Sequence, residues 1–342
     1  MRIAVSAIGL TLISIGPALA TGTAKTPAAA PAAIALPGGE AGIGFDDLRF
    51  SSTMGKVLVP GGRTGKLYLV DPSTGSVASI SGFSVVKEFN GGHDDGITSV
   101  AEGAGLLFVT DRTKEDLSLV DPATKTIVAR VPLGASPDYV RWVEPTHELW
   151  VTEPDSERFE VYRLESGKPP RAVRVATVAV TEGPESLILD MKRGRAYTHM
   201  AGGTAAIDLR SHAVVATWKN GCEEASGVAL DAERGFLFVA CREGGVNVLD
   251  VVSGKIVGNA KLGAGIDIIS YNPGLGHLYV PSSETKTLAI LGVSTGGALT
   301  VLGTFPGTAD SHCVAAAGKV YFCDPAHGRL LTVTDPYPPS TH

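Results

Sequence analysis

The chain is poor in charge, in aromatic rings and in cysteine. Charged residues fill 19% of its 342 positions and aromatics 6%, with only four Cys, four Met and three Trp. Set against 44% hydrophobic residues, the low charge excludes a disordered polyelectrolyte and leaves apolar mass for a sizeable core. A basic excess is missing too. Lys and Arg number 29 against 35 Asp and Glu, a formal charge of -6, so no positive field exists to hold a nucleic-acid backbone. Past residue 20 no apolar run approaches the roughly 20 residues that cross a bilayer as a helix, which argues against a membrane span. The GxSxG, HExxH and Walker signatures are absent. Gly (42) and Pro (21) are plentiful, and both favour turns and short strands over long helices.

The N-terminus reads as a secretory signal. Arg2 is followed by an uncharged run from Ile3 to Ile15, then Pro17 and the small-residue triplet Ala18, Leu19, Ala20. Cleavage at about Ala20 would deliver a periplasmic or secreted product. Residues 21–32, rich in Ala and Pro, read as a flexible leader. The four cysteines, at 222, 241, 313 and 323, lack CxxC spacing, and an even number in an exported chain suggests disulfides.

A turn signature recurs through the remainder: DPSTG at Asp71, DPATK at Asp121, DLRSH at Asp208, DVVSG at Asp250 and weaker copies at Arg163, Gly292 and Asp335. Upstream of these turns lies an apolar strand, as in LFVTD at 107, LWVTE at 149, LFVAC at 237 and LYVPS at 278. A period near 44 residues with four short strands per repeat is a propeller blade, and closing seven blades into a ring protects the sheet edges. The reading is therefore all-β, a seven-bladed β-propeller over residues 33–336 with a short tail at 337–342. The seventh copy has three strands, and AAIALPG at 32–38 is expected to supply its fourth, fastening the ring with the N-terminus.

The aromatic-Val-Thr-Asp/Glu strand, the DAERG turn at 231–235 and the DPATK turn together resemble the YVTN β-propeller repeat family. That resemblance implies an exported seven-bladed protein, distantly similar to lactonase-type and lyase-type propellers. The sequence departs from the repeat at AYTHM and VYFCD, where His199 and Cys323 stand in the usual Thr position.

In a propeller the loops entering the inner strands converge on one funnel, which is where chemistry belongs. Counting back from the second-strand aromatic gives Asp138, Glu185, Ser226 and Asp267. Allowing short gaps adds Asp47, Asp95 and His312. So many carboxylates in one channel require a cation or Arg partners, because like charges raise each other's pKa. Arg112, Arg141 and Arg242 lie near enough to be those partners. The candidate ligand-binding set is Asp95, Asp138, Arg141, Glu185, His199 and Asp267. Asp138, Glu185, Asp267 and His312 form a candidate site for Ca, Mg or Mn, with His312 and His93 as candidate proton-moving groups. Cys222 precedes the inner strand of its blade and Cys241 ends the second, and Cys313 and Cys323 are related in the same way, so these two pairs are the expected disulfides. The leading functional reading is an exported, monomeric binding or scaffold protein for a small molecule or a protein partner. The alternative is a metal-assisted hydrolase or lyase.

Overall fold

The computed structural model describes residues 30–340. The expected signal peptide and most of the leader lie outside the described residues. Among the described residues the strands form seven four-stranded antiparallel sheets, six of them built in chain order from inner strand to outer and the seventh completed by the N-terminal strand. The inner strands of blades 1 to 7 are Arg49–Ser51, Ile97–Gly103, Val140–Val143, Glu185–Asp190, Ala225–Asp231, Ser270–Asn272 and Val314–Ala317. This is the expected all-β, seven-bladed β-propeller.

The recurring turn has a local cause. The carboxylates of Asp71, Asp121, Asp208 and Asp250 each accept the backbone N–H two residues on, from Ser73, Ala123, Arg210 and Val252 at 2.8, 2.8, 3.0 and 3.1 Å. Each such Asx turn joins the third strand of a blade to the fourth. In blades 1 and 5 the turn closes on Gly75 and Gly254, at φ 73° and 70°, where a side chain would be strained. Alternation along the second strands then sends large side chains between sheets. Phe108, Trp150, Tyr197, Phe238, Tyr279 and Tyr321 are at most 1% exposed, and the core consists of clusters between neighbouring blades.

The ring closes through the N-terminal strand Ala32–Ala35, which pairs antiparallel with Arg329–Val333 of blade 7 in the register Ala32↔Thr332 to Ala35↔Arg329. Leu36, 2% exposed, anchors it in a cluster with Phe45, Tyr321 and Leu330. The tail is docked as far as the structure describes it. Asp335 Oδ2 accepts from His277 Nδ1 at 2.7 Å and from the Tyr279 hydroxyl at 2.8 Å, and the Ser340 N–H donates to Leu275 O at 2.8 Å. No helix among the described residues is long and apolar enough to cross a membrane.

One of the two expected disulfides is formed, Cys222–Cys241. The other is corrected: Cys313 and Cys323 are free, buried thiols. They stand opposite one another in a backbone-bonded pair, with the Cys323 N–H donating to Cys313 O at 3.1 Å. The Cys323 sulfur turns back to accept the N–H groups of Cys313 at 3.1 Å and His312 at 3.3 Å, so the backbone holds it.

Candidate functional site

Strand register fixes which residues ring the channel. The inner-strand residues opposite Leu58, Phe108, Trp150, Tyr197, Phe238, Tyr279 and Tyr321 are Arg49, Ala101, Arg141, Ile188, Ala229, Ser270 and Ala315. Three residues upstream of each stand Asp46, Thr98, Asp138, Glu185, Ser226, Asp267 and His312. Five of these are the residues expected from sequence. In blade 1 the ring residue is Asp46, whereas Asp47 points one level deeper. In blade 2 it is Thr98, whose hydroxyl donates to Asp138 O at 3.0 Å, and Asp95 stays in the preceding loop.

The ring is a set of paired and unpaired charges. His93, folded back from the blade 2 loop, places Nδ1 3.1 Å from Asp46 Oδ2. The Asp46 charge is the main cause that lifts the His93 pKa to about 10. Burial opposes the Asp46 charge, but His93 outweighs it and holds that carboxyl below its ordinary value. Asp138 bonds Arg112 Nη2, yet burial and then the Asp46 charge push its pKa well up. The ligand atoms of Asp46, His93 and Asp138 lie within 4.8 Å of one another, close enough for the charge of one carboxylate to oppose ionisation of the other.

His312 is committed in a different way. Its Nε2 lies 2.8 Å from Phe45 O and its Nδ1 bonds Asp310 O. Both partners are carbonyls, which only accept, so both ring nitrogens must carry protons and the ring is an imidazolium. Burial opposes that charge, while Cys323 and Asp267 outweigh burial and raise the pKa. An imidazolium has no lone pair for a metal, so this geometry does not present His312 as a ligand.

Glu185 and Asp267 remain. Neither carboxylate has a hydrogen-bond or ion-pair partner among the described residues. Burial, and then the Asp267 charge, lift the Glu185 pKa to about 7. Asp267 lines a cavity of about 300 Å³ at the mouth, together with Phe89, His93, Arg242, Glu284 and His312. Glu185 lines a neighbouring recess of about 440 Å³ with Glu182, Glu223 and Glu224, and Arg242 lines both. Arg242 pairs with Glu224 at 3.2 Å.

Two expected site residues lie elsewhere. His199 is fully buried between blades 4 and 5, with Nδ1 2.9 Å from Thr204 Oγ1 and Nε2 3.4 Å from Gly227 O. Burial lowers its pKa to about 4, so it is a neutral packing residue, its backbone paired with Glu185 but its ring turned into the blade interface. Arg141 reaches the channel below the ring, where it grips Asp47 at 2.6 and 3.1 Å.

No protein-family model and no curated protein matches the chain. Solved structures do match in shape. The chain is similar to one in a crystal structure of the mitotic checkpoint complex, with 15% identity, 95% of this chain and 100% of that one covered, and a TM-score of 0.73. It is also similar to the β-propeller domain of Cps50 (Swd1) from Myceliophteria thermophila, with 12% identity, coverage of 86% and 98%, and a TM-score of 0.68. A third match is to hydrazine synthase of Kuenenia stuttgartiensis, with 12% identity, coverage of 86% and 96%, and a TM-score of 0.69. At these identities the likeness shows the β-propeller fold alone, an architecture that commonly serves as a scaffold or protein-binding domain.

Proposed function

We propose that the protein is an exported binding protein of the YVTN-repeat type whose funnel holds a small ligand through a protonated amine or similar organic cation. The observation that carries this reading is the pair Glu185 and Asp267. Asp46 and Asp138 each contact a cation, whereas these two carboxylates make no hydrogen bond or ion pair among the described residues and feel His93, His312 and Arg242 only across the cavities they line. Two carboxylates suit an ammonium better than a hard metal ion. Ca²⁺ takes six to eight oxygens, and the other two ring acids, Asp46 and Asp138, are occupied by His93 and Arg112. Phe89 on the cavity wall adds a ring face for a cation. Export is supported by the signal-like N-terminus and by the Cys222–Cys241 bridge, which belongs in an oxidising compartment.

The enzyme reading keeps one supporting observation. A carboxyl titrating near 7 is matched to proton transfer at neutral pH, and Glu185 is such a group. The test is a thermal-shift panel of small primary amines, diamines, guanidinium and Mg²⁺, Ca²⁺ and Mn²⁺ on the wild type and on Glu185→Gln/Asp267→Asn. Amines should raise the wild-type melting temperature in a concentration-dependent way and leave the double variant unmoved. A shift from divalent metals alone would replace the amine with a metal ion and restore the metal-assisted reading.

A further inference from the structure

Below the acidic ring the channel changes sign. Arg49 and Arg141 occupy the same level on blades 1 and 3, three residues beyond Asp46 and Asp138. Arg141 is fully engaged. Its Nη1 and Nη2 donate to Asp47, its Nε donates to Leu187 O at 3.0 Å, and Asp47 also accepts from Ser99 Oγ at 2.6 Å. That triad spans blades 1, 2 and 3 and uses up the negative charge at this depth.

Arg49 is left over. Its guanidinium is half-buried and has no hydrogen-bond or ion-pair acceptor among the described residues. The charge that acts on it most is Arg141, whose repulsion, with burial, brings the Arg49 pKa down to about 10 against the pull of Asp47. Arg49 therefore stays cationic at neutral pH beside a second cation. The cavity it lines measures about 290 Å³, and the charged residues on its wall are Asp47, Arg49 and Arg141, an excess of one positive charge. Ser186, 2% exposed, lines the same cavity, and its hydroxyl has no hydrogen-bond partner among the described residues. A second cavity of about 410 Å³ is again lined by Arg49 and Arg141, and its wall includes the exposed Ser52. Glu102 on that wall accepts from Ser51 Oγ.

An unpaired guanidinium, an unpaired buried hydroxyl and an uncompensated positive charge in one cavity are complementary to a compact anion. We propose that the middle of the channel is an oxyanion site, in which Arg49 and Ser186 donate to the oxygens of a carboxylate, sulfate or phosphate group and the Arg141–Asp47 pair forms its wall. The site is separate in position and sign from the acidic mouth and does not depend on the amine reading.

The experiment is a melting series of the full chain in rising acetate, succinate, sulfate or phosphate, each at constant ionic strength made up with chloride. At least one of these should raise the melting temperature above the chloride control, and the anion that does so identifies the group. Arg49→Met should abolish that rise while keeping or raising the ligand-free melting temperature, because it removes the repulsion with Arg141. Arg49→Lys should retain part of the rise, and Ser186→Ala should weaken affinity about 10- to 100-fold, the worth of one hydrogen bond to a charged group. If Arg49→Met does not fold, equilibrium dialysis of labelled phosphate and labelled succinate against wild type and Ser186→Ala decides instead. No rise with any of the four anions, or an undiminished response in Arg49→Met, overturns the proposal.

Discussion

Removing the Leu36 side chain should weaken the whole ring, because the strand it anchors joins the first blade to the last. Ala32–Ala35 is mostly exposed along its length, so the ladder to Arg329–Val333 contributes hydrogen bonds but little apolar burial. Leu36, 2% exposed among Ile43, Phe45, Tyr321 and Leu330, supplies the packing. A buried Leu→Ala change costs about 2–5 kcal/mol through lost transfer energy and the cavity left behind. In a domain of about 310 residues each kcal/mol lowers the melting temperature by roughly 1.5 °C. Leu36→Ala should therefore melt about 3–8 °C below wild type in a calorimetric scan. Val215→Ala is the control: Val215 is 48% exposed on the outer strand of blade 4 and should stay within about 0.5 kcal/mol of wild type. If the two variants melt within 1 °C of each other, the N-terminal strand does not fasten the ring.

The paired charges give further expectations. Arg141→Met leaves Asp47 buried without its partner and should cost about 3–5 kcal/mol in urea unfolding, with much of it recovered in Asp47→Asn/Arg141→Met; equal stability of the single and double variants would refute the pairing. The His93 pKa is raised on folding, so the stability it contributes is fully present below the unfolded value and is lost as pH climbs toward about 10. The wild type should accordingly exceed His93→Gln most at pH 6 and progressively less by pH 10, and a gap that widens with pH would contradict that sign. Cys222→Ser/Cys241→Ser opens a loop of sequence separation 19 and should lose about 3 kcal/mol. The Cys313 and Cys323 thiols, both 0% exposed, should be silent to a thiol reagent in the native protein and titrate as two per chain in denaturant.

The architecture was legible because it repeats. Asx turns and buried second-strand aromatics recur at a near-constant period, so blade number and the N-terminal closure followed from counting. The fifth blade, for instance, runs Ala225–Asp231, Phe236–Cys241, Gly245–Asp250 and Ile256–Ala260, four short strands within one repeat. The same counting placed Asp138, Glu185, Ser226 and Asp267 in the ring, and an allowed gap added His312. It failed where the ruler failed. Blade 1 carries Leu58 in place of the aromatic, so Asp46 and Asp47 could not be told apart. In blade 2 a gap was allowed in order to reach an acid, although the ring position holds Thr98. His199 was drawn to the mouth by its place at the end of a second strand, but that position faces the neighbouring blade. The state of Cys313 and Cys323 depends on which backbone N–H groups the Cys323 sulfur meets, a matter of about an ångström that spacing does not encode. Arg49 gave no signal, because an unpaired cation is recognised only once its neighbours are known to be occupied.

The central claim is that Glu185 and Asp267 together receive a cation. Its most direct test is calorimetric titration, near pH 7 in buffers of different ionisation enthalpy, of the amine that binds most tightly. With a Glu185 pKa of about 7, the carboxyl is roughly half protonated, so binding should release about half a proton. Affinity should rise as pH passes from 6 to 8, and Glu185→Gln should abolish the release. Binding without proton release, or release that persists in Glu185→Gln, would contradict the assignment.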